Sequence, residues 1–208
     1  MTEPKDTIIC PICGKQAKRL PIHVNPLYRC DECGFLSNNA NVINISYKDN
    51  VSAPLSNLYP HEFKLYGFYD TSELSEKAIT CPSMESFLQC LKIQDRDLQN
   101  IFMRNYSGMA ACKMSATLDD WKKNQTLWFN GKPYPRYSEE YTDLITRAYD
   151  ALFETNDIFR EIVLPKFKSK ILIHTIGKDD RSDTVLTEAE FRYQLNRLMR
   201  RLWCKKEQ

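Results

Sequence analysis

Long apolar runs are missing from this chain. None of its hydrophobic stretches approaches the roughly 18–20 residues that a membrane-crossing helix needs. The opening Met1-Thr2-Glu3-Pro4-Lys5-Asp6 also lacks the apolar core of a secretory leader. A charge excess is missing too: 29 Lys and Arg face 27 Asp and Glu, a net charge of +2. That balance permits a nucleic-acid partner without requiring one. These absences exclude a membrane partner and lead to the expectation of a cytoplasmic protein. In that reducing setting the eight cysteines are expected as thiols or metal ligands rather than disulfides. What is present is ordinary for a globular chain: 208 residues, 42% of them hydrophobic, enough for one substantial core and a small appendage.

The appendage is marked by cysteine spacing. Cys10-Pro-Ile-Cys13-Gly and Cys30-Asp-Glu-Cys33-Gly form two Cys-x2-Cys knuckles sixteen residues apart. Four thiolates converging on one point suit a closed tetrahedral Zn2+ site, structural because no coordination position stays open. So few apolar residues lie between the knuckles that zinc would have to supply much of the folding free energy. A zinc ribbon is therefore expected over residues 1–40, with nucleic acid or a protein partner as alternative contacts. The polar run Ser37-Asn38-Asn39-Ala40-Asn41 marks the boundary with a main domain over residues 41–204.

Within the main domain, Val42 to Tyr47 alternates as a strand, and Phe63 to Tyr69 reads as another strand or hairpin arm. Pro54 and Pro60 stiffen the intervening loop. Asp95–Met103 reads as the continuation of a helix at 83–92 or as a second helix, and Ser107–Met114 as another. Ser138–Phe153 is an amphipathic helix with Tyr141, Leu144, Ile145, Ala148 and Leu152 on one stripe, and Ile158–Leu164 extends it or starts a further helix. The last helix opens at Thr187, with Glu190 completing a capping box. Residues 121–136 read as a long loop in which Trp121 or Trp128 either stacks on a ligand ring or caps the core. Arg192, Arg197, Arg200, Arg201, Lys205 and Lys206 make the end of the chain basic, as a solvated face or a phosphate-contacting patch.

The richest stretch is Ser83-Met-Glu85-Ser-Phe-Leu-Gln89-Cys-Leu-Lys92. At about 100° per residue, Met84, Phe87, Leu88 and Leu91 form an apolar arc continued by Leu98. Glu85, Gln89 and Lys92 align on a neighbouring face, with Arg96 a turn beyond. Ser83 stands at the N-cap, and Glu85 lies in the first turn, where the helix dipole favours a carboxylate. An acid, an amide and an amine are thus lined up on one rigid element.

Together with Pro54-Leu-Ser56-Asn57-Leu58-Tyr59-Pro60, the order Ser83-x-Glu85-x-Phe87-x-Gln89-x-x-Lys92 resembles the NADAR family of N-glycosidases, with Leu58 where that family carries an aromatic. The resemblance implies a mostly helical α+β domain behind the ribbon. It implies an N-glycoside hydrolase that removes ADP-ribose from a nucleobase, guanine in DNA foremost, reversing a toxin's modification as an antitoxin or a phage counter-defence. The host cytoplasm is the setting if the chain is phage-encoded. By the same resemblance Lys92 attacks the anomeric carbon through a Schiff base and Glu85 relays the proton. Ser56, Asn57, Tyr59, Ser83 and Gln89 then hold the substrate, with Asp180 and Asp183 as the acidic candidates of the loop at 177–183. The amine must lose its proton to act, and burial beside Arg96 would favour that, while Glu85 opposes it. Two alternatives stand beside this reading: an N-glycosidase acting on riboflavin-pathway intermediates, and a non-catalytic module gripping ADP-ribose or a nucleotide.

Overall fold

The computed structural model of the chain describes residues 7–10, 15–20, 27–32, 36–37, 42–66, 78–168 and 170–204. Over these the chain is an α+β protein. Strands β1 (Thr7–Ile9), β2 (Gln16–Leu20), β3 (Leu27–Cys30) and β4 (Leu36–Ser37) form an antiparallel sheet in sequence order. Cys10, Ala17, Tyr28 and Cys30 are buried there in a cluster of their own. The predicted zinc centre is not seen among the described residues. Among the described residues no group of three or more His, Cys, Asp or Glu side chains is placed to hold a metal ion. Cys10 and Cys30 are fully buried in the sheet's small core, and Cys13 and Cys33 lie outside the described residues.

The larger core belongs to residues from Ile45 onward. Strand β5 (Val42–Asn44) pairs in parallel with β10 (Ile171–Ile173), Val42 opposite Ile171, and so joins distant parts of the chain. Strands β6 (Phe63–Leu65) and β7 (Ile79–Cys81) form an antiparallel pair that leads into helix α1 (Met84–Cys90). Helices α2 (Arg96–Asn105), α3 (Gly108–Met114) and the short α4 (Trp121–Asn124) follow. The expected loop at 121–136 is instead α4 and a hairpin, β8 (Thr126–Phe129) with β9 (Lys132–Pro135). Its turn is Asn130-Gly131, both at positive φ (52° and 77°), the backbone that a two-residue hairpin turn demands. Trp121 is buried in the core. Helix α5 (Glu139–Thr155) buries Tyr141, Leu144, Ile145, Ala148 and Leu152, as its stripe predicts. A π-helical stretch, Ile158–Val163, and a short 3-10 turn lead back toward β10.

Helix α6 (Glu188–Cys204) starts with the anticipated capping box. The Glu190 amide donates to Thr187 Oγ1 (3.2 Å) and the Thr187 amide to Glu190 Oε2 (2.8 Å). Much of the basic character of its described residues is taken up internally, and Lys205 and Lys206 lie outside those residues. Arg192 pairs with Glu188, Arg197 with Asp150, and Arg201 with Asp150 and Glu154.

The α1 segment departs from the ten-residue helix expected. The helix stops at Cys90, and Leu98 belongs to α2 with 56% of its surface exposed, so it does not extend the apolar arc. Gln99 explains the stop. This buried amide donates to the carbonyls of Cys90 (3.3 Å), Ile93 (2.6 Å) and Trp128 (2.6 Å), and its oxygen accepts from the Asn130 amide (2.9 Å). It satisfies the helix end and fastens the β8–β9 hairpin to it.

Ser83 anchors the other end of α1 and is fully buried. Its Oγ accepts from the Ser86 amide (3.1 Å) and from the Gly108 amide (2.9 Å), so one hydroxyl caps α1 and fixes the start of α3. Gly108 holds φ +47°, and a Cβ there would stand 2.2 Å from the Leu58 carbonyl oxygen. Only glycine lets α3 press against the 56–58 loop in this way. Ser83→Ala removes the cap and leaves the buried Gly108 amide without its acceptor. It is expected to lower folding stability by about 2–3 kcal/mol, a cap plus an unsatisfied buried donor. Urea denaturation measures this, and an unchanged midpoint would show that the shared hydroxyl carries no such weight.

Candidate functional site

Between the 56–58 loop, α1, α3 and the segment from His174 to Phe191 lies a cavity of about 290 Å³. Ser56, Asn57, Glu85 and Gln89 line it, joined by Cys112, His174, Lys178 and Glu188. The loop is docked directly on the helix, since the Glu85 amide donates to the Asn57 carbonyl (2.9 Å). The Asn57 side-chain oxygen accepts from the hydroxyl of the buried Tyr149 (2.7 Å), which aims this residue from behind. A short relay braces the acid: Ser115 Oγ donates to Gln89 Oε1 (2.6 Å), and Gln89 Nε2 donates to Glu85 Oε1 (2.8 Å).

The electrostatics follow from burial. Desolvation raises the Glu85 pKa, against the opposing pull of the Gln89 hydrogen bond and the Lys92 charge. The Lys92 amine is lowered, with desolvation foremost and Lys122 adding to it, while Asp119, Glu85 and Cys112 work the other way. The like charge beside Lys92 is thus Lys122, and Arg96 is exposed on α2. Burial also pushes up the Cys112 thiol, with Glu85 acting in the same direction. The Glu85 carboxyl and the Lys92 amine are both drawn toward their uncharged forms.

Other candidates from the sequence are placed differently. Lys92 lies in the turn after α1, with Nζ 3.4 Å from the Ser115 carbonyl, and the Glu85–Lys92 coupling runs across that turn. It is not among the residues that line the cavity. Ser83 is spent on capping. Tyr59 stacks on His61 at 4.7 Å between centroids, also off the cavity wall. Asp180 closes a local turn onto the Ser182 amide (2.8 Å) and hydroxyl (2.7 Å). Asp183 is bonded to Lys122 (2.6 Å) and Lys178, which hold its pKa down to about 2. Neither aspartate lines the cavity. Cys112, Tyr149, Lys178 and Glu188 are pocket or support residues that the sequence reading passed over. They come from segments whose periodicity announces only helices or loops.

With this geometry the chain falls in the family of the bacteriophage protein GP30.3, whose model matches residues 49–201 and so includes every element of the cavity. The chain belongs to that family. A relative in Enterobacteria phage T4, the uncharacterized 17.1 kDa protein of the Gp30-rIII intergenic region, is 35% identical over 116 residues, which cover 55% of this chain and 75% of that protein. No solved structure matches. The resemblance to the NADAR family is thereby overturned. The family matched is a different one, and the motif spacing around α1 does not carry membership. Among the described residues no helix is long and apolar enough to cross a membrane.

Proposed function

We propose that this cavity is the active site of a hydrolase that breaks the C–N bond between a sugar carbon and a base nitrogen. The acid and the amine support the type of reaction, family membership does not enter it, and the sugar–base bond is what the substrate panel tests. The observation that supports it is a cavity-lining carboxyl raised by burial, to which an amine lowered by burial is electrostatically coupled from the turn after α1. A protonated Glu85 can donate to a departing nitrogen, and an uncharged Lys92 can attack an electrophilic carbon. The 3.4 Å contact of Lys92 with the Ser115 carbonyl is long and easily given up when the amine swings toward a ligand. The side-chain amide of Asn57, whose oxygen is taken by Tyr149, has its nitrogen left to hold a hydroxyl or a base. ADP-ribosylated guanine in DNA is the first substrate to test, followed by ADP-ribosylated RNA and protein and by free riboflavin-pathway intermediates.

Incubation with this panel, with release of base or ADP-ribose quantified, tests the proposal. The wild-type chain is expected to turn over one of these substrates. Lys92→Ala is expected to lose more than about 100-fold in rate, as for a removed nucleophile or base, while ADP-ribose affinity measured by calorimetry stays within a few-fold. A second reading is favoured by the Lys92 position off the cavity wall: a module that grips the ligand without cleaving it. Tight ADP-ribose binding with no turnover on any member of the panel would decide for that module.

A further inference from the structure

His174 leaves β10 at the cavity wall, and its ring is fixed on several sides. Nδ1 lies 2.8 Å from the Ile45 carbonyl oxygen. A carbonyl can only accept, so Nδ1 carries the proton, and in the neutral ring Nε2 is left as a lone-pair acceptor. The His174 amide donates to Glu188 Oε1 (3.2 Å), and the ring meets Phe191 edge-on at 5.2 Å and 73°. Gly177 completes the clamp, because a Cβ there would stand 2.9 Å from His174 Cδ2. The next residue is held as well: Asn44 Nδ2 donates to Thr175 Oγ1 (2.9 Å), and the Thr175 amide donates to Asn44 Oδ1 (3.1 Å). Nε2 has no hydrogen-bond partner among the described residues. His61 offers the contrast. It is buried off this cavity with its Nε2 bonded to the Pro54 carbonyl (2.8 Å), the pattern of a structural histidine.

We propose that His174 is the general base of this cavity, taking a proton from water through Nε2 while Glu85 supplies the acid. The two groups line the same space of about 290 Å³. One is a carboxyl that burial favours in its protonated form, and the other is an imidazole whose tautomer presents a lone pair, so acid and base are assigned by their surroundings. The assignment rests on the reading of the site as a glycosyl C–N hydrolase. After Glu85 has protonated the leaving base and the sugar ring has opened, the Lys92 nitrogen is joined to the sugar carbon as an iminium. Water adds to that carbon. The new C–O bond forms as the C=N pair moves onto nitrogen, and the released proton goes to Nε2. The imidazolium then protonates the amine. The C–N bond breaks with its pair on nitrogen, the carbonyl forms, and the hydroxyl proton passes to the Glu85 carboxylate. Every group returns to its starting form.

His174→Asn separates this role from a structural one, because the Asn amide nitrogen takes the place of Nδ1 and can still donate to Ile45. Ring nitrogen NMR of the full chain is expected to show the neutral His174 ring protonated at Nδ1; a proton on Nε2 overturns the proposal. Carbethoxylation of His174 by diethylpyrocarbonate, followed by peptide mass analysis, is expected to slow at least about 10-fold when the cavity is filled with ADP-ribose; an unchanged rate also overturns it. On ADP-ribosylated DNA, His174→Asn is expected to keep its first release of base. It should release sugar about 100-fold more slowly and accumulate a Lys92 adduct trapped by borohydride. Sugar release at the wild-type rate by this variant defeats the assignment. If the wild-type chain releases base from no member of the substrate panel, the hydrolase reading fails and takes this assignment with it, whereas the wrong tautomer or an unprotected ring defeats the assignment alone.

Discussion

Arg136→Ala is expected to remove about 3 kcal/mol of folding stability, the cost of stranding a buried carbonyl and of taking from Glu190 its buried cation while Arg181 stays at 3.0 Å. The Arg136 side chain is wholly buried. Its Nη1 and Nη2 donate to the two oxygens of Glu190 (3.0 and 2.6 Å) and its Nε to the Thr184 carbonyl (2.9 Å). The guanidinium also lies 5.0 Å from the ring centroid of Tyr141. Truncation strands the Thr184 carbonyl and loosens Glu190, which at the same time caps α6. The segment so released, Thr184 to Glu188, forms one wall of the cavity, so ligand affinity should fall with stability. The loss also depends on pH. Burial pushes the Glu190 pKa up, but the hydrogen bonds from Arg136 and the Thr187 amide outweigh it and hold the carboxyl below its usual value. A depressed folded-state pKa gives stability that is present above the unfolded value of about 4.3 and is lost as pH falls through the folded value. The gap between wild type and Arg136→Ala, followed by guanidinium denaturation, should therefore be full at pH 7 and narrow below about pH 4. Equal midpoints for wild type and Arg136→Ala would show that the ion pair does not secure this wall.

What the sequence made legible was local. The capping box at Thr187 and Glu190, the N-cap at Ser83 and the apolar stripe of α5 are written in residues three or four apart, and each is found in the structure. The Glu85–Gln89 contact belongs to the same class, one turn of helix. The errors began where tertiary contacts decide. Nothing in residues 83–92 says that Gln99 will end the helix at Cys90 and leave Lys92 in a turn. The Asn130-Gly131 pair was a hairpin signal in its own right, masked by the prolines and aromatics around it. The aspartates of the 177–183 loop look free in sequence, yet Lys122, brought in by α4, shares Asp183 with Lys178. His174 reaches the cavity only because β10 pairs with β5. No spacing rule links a residue near 174 to one near 45, and both the ring's orientation and its hydrogen-bond partner depend on that pairing.

Glu85→Gln is expected to lower turnover of the cleaved substrate by about 10²–10⁴-fold, the usual weight of a positioned acid. The substitution is nearly isosteric, and the new amide oxygen can still accept from Gln89 Nε2, so the relay from Ser115 stays in place. What it removes is the transferable proton. Stability should move the opposite way. Burial raises the Glu85 pKa in the folded chain, so folding is favoured with the carboxyl protonated. A raised folded-state pKa contributes stability that is fully present below the unfolded value of about 4.3 and is lost as pH rises through the folded value. Wild type thus carries a desolvated carboxylate at alkaline pH, and the glutamine variant does not. Thermal melts should show Glu85→Gln more stable than wild type at pH 8, with the difference shrinking as the pH approaches 4. A variant that is inactive and stabilised with this pH dependence identifies a group placed for proton transfer at some expense to the fold. A variant that is inactive and destabilised at every pH would instead make Glu85 a structural brace for the Asn57 loop, and the acid would have to be sought elsewhere on the cavity wall.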